Sequence, residues 1–201
     1  MLRENPANID IKAALRLQGM RLLLALVLMG LSGAAAGQEQ YEVKHGTVRF
    51  HSEEPNEYIS AFSNSLTGNI NVKTGSFHFR IAIGSFKGFN CPLLRLHFNT
   101  NSMETGAYPE ASFSGVLLDK VDFSRDGEYN VRAKGKMRIH GVEQYRIVRV
   151  HITAKDGMIS LDAKLPVVLE EHNIRTPKLT MKRIATEVMV DVTANLVASV
   201  R

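Results

Sequence analysis

From residue 41 onward, apolar and polar residues alternate in run after run. Phe77, Phe79, Ile81 and Ile83 are apolar, with His78 and Arg80 between them. Tyr129, Val131, Ala133, Gly135, Met137 and Ile139 share one face of the next long run. Its other face, Asn130, Arg132, Lys134, Lys136, Arg138 and His140, is polar and mostly basic. Ile159, Leu161, Ala163 and Leu165 alternate with Ser160, Asp162 and Lys164, and Val188, Val190, Val192, Ala194 and Leu196 with Met189, Asp191, Thr193 and Asn195. Shorter runs fall at 47–52, 56–63, 67–73, 111–119 and 144–153. A period of two puts successive side chains on opposite faces of a strand, so each run predicts a half-buried β-strand.

Turn chemistry separates the runs. Lys73-Thr74-Gly75, Asp126-Gly127, His140-Gly141 and Asp156-Gly157 all read as hairpin connections, and connections this short make consecutive strands antiparallel neighbours. Eight or nine strands with one apolar face each predict an all-β barrel or sandwich. Two stretches break the alternation. Residues 85–110 have room for a short helix around 93–99, and 168–182 read as a long loop or lid before the last strand.

A closed barrel of about eight strands is either filled by its own side chains or holds one small ligand. The inward candidates mix large rings (Phe50, Phe77, Phe79, Tyr129) with small residues (Ala133, Gly135, Ala163, Ala194). Such sizes can interdigitate into a solid core. Ala133 and Gly135, inward on one long strand, equally suit a place where side chains withdraw. Periodicity leaves both readings open.

The N-terminus reads differently. Arg21 precedes the apolar run 22–29, and Gly30-Leu31-Ser32-Gly33-Ala34-Ala35-Ala36-Gly37 follows it. A basic start, a short apolar stretch and a small-residue region form the pattern of a secretory signal, with cleavage expected after Ala36 or Gly37. Residues 1–19 then look like an extension upstream of a start at Met20. The expected division is 1–37 as extension plus signal and 38–201 as one domain in the periplasm or outside the cell. The alternative reading of the run is a buried core helix, against which it is apolar on all faces and ends in small residues with no helix cap. No stretch of about eighteen or more apolar residues follows it, so no membrane span is expected in the mature protein.

Charge narrows the partners. The chain has a formal charge of +5. Arg3, Lys12, Arg16 and Arg21 against Glu4 and Asp10 supply +2 of it before residue 38. The rest is spread over several strands with no basic block, which argues against nucleic acid. Cys91 is the only cysteine, so an internal disulfide and a thiolate-built zinc site are both excluded.

The seven histidines (45, 51, 78, 97, 140, 151 and 172) show no metal-ligand spacing, and His78, His140 and His151 fall at outward positions. No metal or cofactor is expected. His97 with Glu104 is the one pair that suggests acid–base work, and no nucleophile motif accompanies it. The expectation is a non-enzyme, with a lipid-modifying enzyme using His97 and Glu104, or an envelope interaction module with a filled core, as the alternatives.

Three motifs in order carry a resemblance: Phe86-Lys87-Gly88-Phe89-Asn90 followed by 93–98, Tyr108-Pro109-Glu110-Ala111-Ser112-Phe113-Ser114-Gly115, and 135–142 ending in Ile139-His140-Gly141-Val142. The chain resembles the YceI-like family of exported, lipocalin-like barrels associated with polyisoprenoid binding, over nearly all of 40–199. Glu143-Gln144-Tyr145 and 99–102 depart from the family's usual pattern. The resemblance implies an antiparallel barrel of about eight strands with one short helical insertion. It also implies a polyisoprenoid or similar amphiphilic lipid in the interior, its head group at the mouth. On that reading the ligand-binding candidates are Phe50, Phe77, Phe79, Ile81, Phe98, Phe113, Val131, Ala133, Gly135, Met137, Leu161 and Val190. A homodimer remains open.

Overall fold

A computed structural model describes residues 40–54, 57–175 and 186–199. The signal-like segment 1–37 and the part of the 168–182 connection beyond Arg175 lie outside the described residues.

Nine strands form one antiparallel sheet: β1 (Gln40–Glu54), β2 (Glu57–Ser63), β3 (Thr67–Asn71), β4 (Ser76–Ala82), β5 (Glu110–Leu117), β6 (Gly127–Ile139), β7 (Val142–Lys155), β8 (Met158–Val168) and β9 (Glu187–Ala198). β1 also pairs with β9, from Tyr41 opposite Ala198 to His51 opposite Met189, and this closes the sheet on itself. β2 and β3 lie along the same edge of β1, as one return strand broken at 64–66. The result is an eight-stranded barrel with one extra strand, as the alternation and the resemblance together predict.

The break is held in place. Ser63, fully buried, accepts a hydrogen bond from the Ser65 amide (3.1 Å), and its hydroxyl lies 2.6 Å from that of Ser85. Phe62 and Lys87 exchange backbone hydrogen bonds of 2.8 Å in each direction, so the chain after β4 substitutes for the ladder that β2 lacks on that side.

Two hairpins follow the predicted chemistry. His140 and Gly141 have φ of 50° and 76°, and Asp156 and Gly157 have 51° and 73°. Positive φ at both central residues is what a two-residue turn of the right twist requires. Asp126-Gly127 behaves differently. β6 begins at Gly127, and the whole stretch 118–126 connects it to β5. This connection folds against the barrel: Val121 and Phe123 pack on the core, and Tyr129 donates its hydroxyl proton to the Asp122 carbonyl at 3.0 Å.

The strands run so that one barrel end, the floor, collects the β3–β4 turn, residues 118–126 and the β7–β8 turn. Just above the floor, Ile152 and Leu196 are fully buried and Ile159 nearly so. The other end collects the β1–β2 turn, residues 83–109, the β6–β7 hairpin and the connection after β8. Residues 83–109 contain the predicted short helix, α1 (Pro92–His97), prolonged by a wider π-helical turn, Phe98–Ser102. Pro92 at its first position lacks only an N–H that would have had no helical partner.

Candidate functional site

The interior is solid at the floor and hollow above it. A cavity of about 320 Å³ is bordered at its depth by Ile70, Leu117 and Ile152 and reaches the helix end, within the size range of small-ligand sites. Phe77, Phe79, Ile81, Phe113, Ala133, Met137, Leu161 and Val190 border it from the strands. Phe50 on β1 and Phe98, just after α1, border it at the helix end.

The two remaining candidates lie elsewhere. Val131 is buried in the packed core and does not border the cavity. Gly135 does not border it either. It stands opposite Gly115 across the β5–β6 ladder. A Cβ at Gly135 would come within 2.3 Å of the Ser114 carbonyl oxygen, and one at Gly115 within 2.1 Å of the Lys134 oxygen. The glycine pair serves a close approach of two strands; it does not leave room for a ligand.

Alternation missed the residues that roof the cavity, because they lie on the connections. Phe86 and Phe89 after β4, Leu94 and His97 on α1, Met103, and Leu169 and Ile174 after β8 all border it. Four rings gather there: Phe50 and Phe98 stack with centroids 5.4 Å apart and planes at 17°, Phe86 lies 5.4 Å from Phe50, and Phe89 lies 5.1 Å from Phe98. Three of these rings fall in 86–98, a density of aromatics within a stretch without strand period that could have marked the roof.

Polarity is distributed unevenly. The polar residues on the cavity boundary are Ser52, Arg80, His97, Ser102 and Ser112. Ser52 and Arg80 sit near the upper ends of β1 and β4, Ser112 near the start of β5, and His97 and Ser102 in the helical segment. All five belong to the helix end; the rest of the lining is hydrocarbon. Arg80 also faces Glu110 at 3.9 Å and hydrogen-bonds to Thr67 Oγ1 at 3.3 Å.

Above the cavity, three connections are tied at His140. The alternation places this residue outward with the basic face of β6, but it is buried. Positive φ takes it out of the strand's alternation, and Tyr108 covers its ring edge-on with centroids 4.4 Å apart. Its Nδ1 lies 3.1 Å from the His172 carbonyl oxygen and its Nε2 3.0 Å from Glu104 Oε2. His140 thus bridges a carbonyl and a carboxylate through its two ring nitrogens. The β4–β5 connection, the β6–β7 hairpin and the segment after β8 are thereby pinned together.

His172 is 1% exposed. Burial, the largest effect, pushes its pKa below the usual imidazole value, and the charges of Arg146 and His140 act the same way. Hydrogen bonding with the backbone at Val142 and Ile139 opposes them without prevailing. The His97–Glu104 pair does not form: His97 borders the cavity, and Glu104 gives its carboxylate to His140. Among the described residues no group of three or more His, Cys, Asp and Glu is placed to hold a metal ion.

An apolar barrel interior with a polar mouth under a short helix is a binding geometry, and comparison with known proteins gives it a lineage. The model of the YceI-like domain matches residues 40–196. The chain belongs to the YceI-like family. Its fold is similar to a polyisoprenoid-binding domain from Saccharophagus degradans implicated in plant cell wall breakdown, with 16% identity, a TM-score of 0.67, and coverage of 79% of this chain and 98% of that one. It is also similar to BcnA of Burkholderia cenocepacia, with 19% identity, a TM-score of 0.61, and coverage of 75% and 95%. At these identities the likeness is one of fold. None of the curated proteins matches the chain in sequence.

Proposed function

We propose that this YceI-like barrel is an exported, periplasmic binding or carrier protein that holds a polyisoprenoid or similar amphiphilic lipid in its interior. The observation that carries the reading is the one-sided polarity of the cavity. Hydrocarbon lines its depth, and Ser52, His97 and Ser102 lie at the helix end, so an apolar chain is buried below while a polar head meets hydrogen-bonding groups above. The similarity to a polyisoprenoid-binding domain supports the same ligand class. Holding such a lipid requires no proton transfer, and Glu104 is engaged away from the cavity. Export rests on the basic–apolar–small pattern of residues 21–37.

The test is paired. Native mass spectrometry of protein purified from an exporting cell should show a co-purifying lipid and an N-terminus near Gly37 or Gln38. Ala133→Phe places apolar volume in the cavity and should displace that lipid. Overpacking a solid core destabilises by roughly 1–3 kcal/mol; filling a cavity should leave the denaturant midpoint of delipidated protein nearly unchanged. Lost stability with lipid retained would refute the binding site. Gly135→Leu is unsuitable for this purpose, because its side chain would strike the β5 backbone.

A further inference from the structure

Helix α1 presents apolar residues in two directions. Leu94 and His97, with Phe98 just beyond, border the cavity. Leu93 and Leu96 do not, and they stay 59% and 56% exposed. Residues three apart on a helix are surface neighbours, so the two leucines form one patch on the roof of the cavity. A single exposed leucine is ordinary; two on the turn that closes a lipid-sized cavity call for a partner.

The charge around the patch indicates which partner. From residue 83 to 103 the chain carries Lys87, Arg95 and His97 and no carboxylate. The acids that follow are engaged, Glu104 with His140 and Glu110 with Arg80. Lys87 and Arg95 are exposed. Leucines in a segment with cations and no acid from 83 to 103 match the interface of a bilayer carrying anionic headgroups, where apolar side chains enter the acyl boundary and Lys or Arg meets phosphate.

We propose that α1 is a membrane-docking element: Leu93 and Leu96 enter an anionic bilayer surface, and lipid passes between bilayer and cavity beneath the helix. This rests on the lipid-binding reading above. The helix has apolar contact on both sides, so an isoprenoid chain can move from acyl chains to Phe98 and Leu94 without exposing its whole apolar surface to water, the step that makes unassisted transfer slow.

The chain supplies its own probe. Cys91 is the only cysteine, is exposed, and immediately precedes α1. An environment-sensitive fluorophore on Cys91 of the protein purified from the exporting cell reports whether the helix enters vesicles of mixed phosphatidylglycerol and phosphatidylcholine. Its emission should shift to the blue with these vesicles and much less with phosphatidylcholine alone. The double variant Leu93→Asp with Leu96→Asp should weaken the binding read at this probe, and slow transfer of geranylgeraniol from vesicles, by about tenfold or more, as expected for two leucines no longer buried. Leu93→Ser with Leu96→Ser should act in the same direction. Leu96→Trp should strengthen binding, because indole favours the interface. Ile147→Asp changes an equally exposed apolar residue on the outer wall of β7 and should alter neither reading.

Uptake of geranylgeraniol from dilute detergent separates the two proposals. The double variant should match the wild type there. Failure of the wild type to take up the alcohol would overturn the lipid-binding reading. Normal uptake by the wild type, with vesicle docking absent or unaffected by the double variant, would overturn membrane docking and point to a protein partner for the patch. Equal loss on Ile147→Asp would also overturn it, since the effect would then be general surface stickiness.

Discussion

At the floor of the barrel Asp156 and Gly157 alone join β7 to β8, and Ile152, Ile159 and Leu196 nearby are at most 1% exposed. At the opposite end the connections run over 83–109 and 169–186, two leucines stand in solvent, and the interior is hollow. Both ends are finished by apolar side chains from the strands. The difference is what meets them. Residues 118–126 bring Val121 and Phe123 down onto the floor, whereas the roof segments arch over Phe50 and Met137 and leave space. What separates the ends is whether the connection packs down onto the strands, as 118–126 does, or stands off from them, as 83–109 does.

This contrast is open to direct attack. Leu196→Ala and Ile159→Ala each remove a fully buried side chain that does not border the cavity and should cost about 2–5 kcal/mol, read as a lowered urea midpoint. Met137→Ala sits in the cavity wall, where the side chain already lacks neighbours on one side, so its cost should lie at or below the low end of that range, about 2 kcal/mol. Equal losses at Leu196 and Met137 would mean that the interior is uniformly packed.

A smaller effect should appear on acidification and belongs to the roof. His172 is held neutral in the fold, with its pKa below the usual 6.5. The unfolded chain therefore takes up that proton first as pH falls. The contribution of neutral His172 is fully present above about 6.5 and declines as pH drops through that value toward the folded pKa. His172→Gln should flatten the fall in urea midpoint between pH 7 and 5 relative to wild type, whatever its own cost at neutral pH. An unchanged slope would show that another group sets the acid sensitivity. Smallest of all should be the stability change of Ala133→Phe, within about 1 kcal/mol despite its added volume.

What could be read from the sequence divides along the same line. The strands and two of the tight turns are legible because each depends on neighbours in the chain: alternation sets a strand's two faces, and His140-Gly141 and Asp156-Gly157 set their own φ. The roof is not legible in this way. Phe86, Leu94 and Ile174 meet only through long-range closure, and no period announces it. His140 shows how a local rule fails, since one positive φ turns a residue that alternation places in solvent into a buried tie between three segments. Gly135 shows the opposite error: a small inward residue suggests room, but its smallness is consumed by Gly115 across the ladder.

The pairing of β1 with β9 bears on how such a chain comes to be folded. Tyr41 lies opposite Ala198, and the Ser199 amide donates to the Gln40 carbonyl at 2.8 Å. The first described strand pairs with β2 and β3 along one edge and finds the partner for its other edge only in the last. Contacts so distant along the chain make for slow folding, on the scale of milliseconds to seconds. Until β9 has been made, β1 keeps an unpaired edge and the sheet cannot close. The link that makes the barrel seamless also defers its folding until the whole domain has been synthesised.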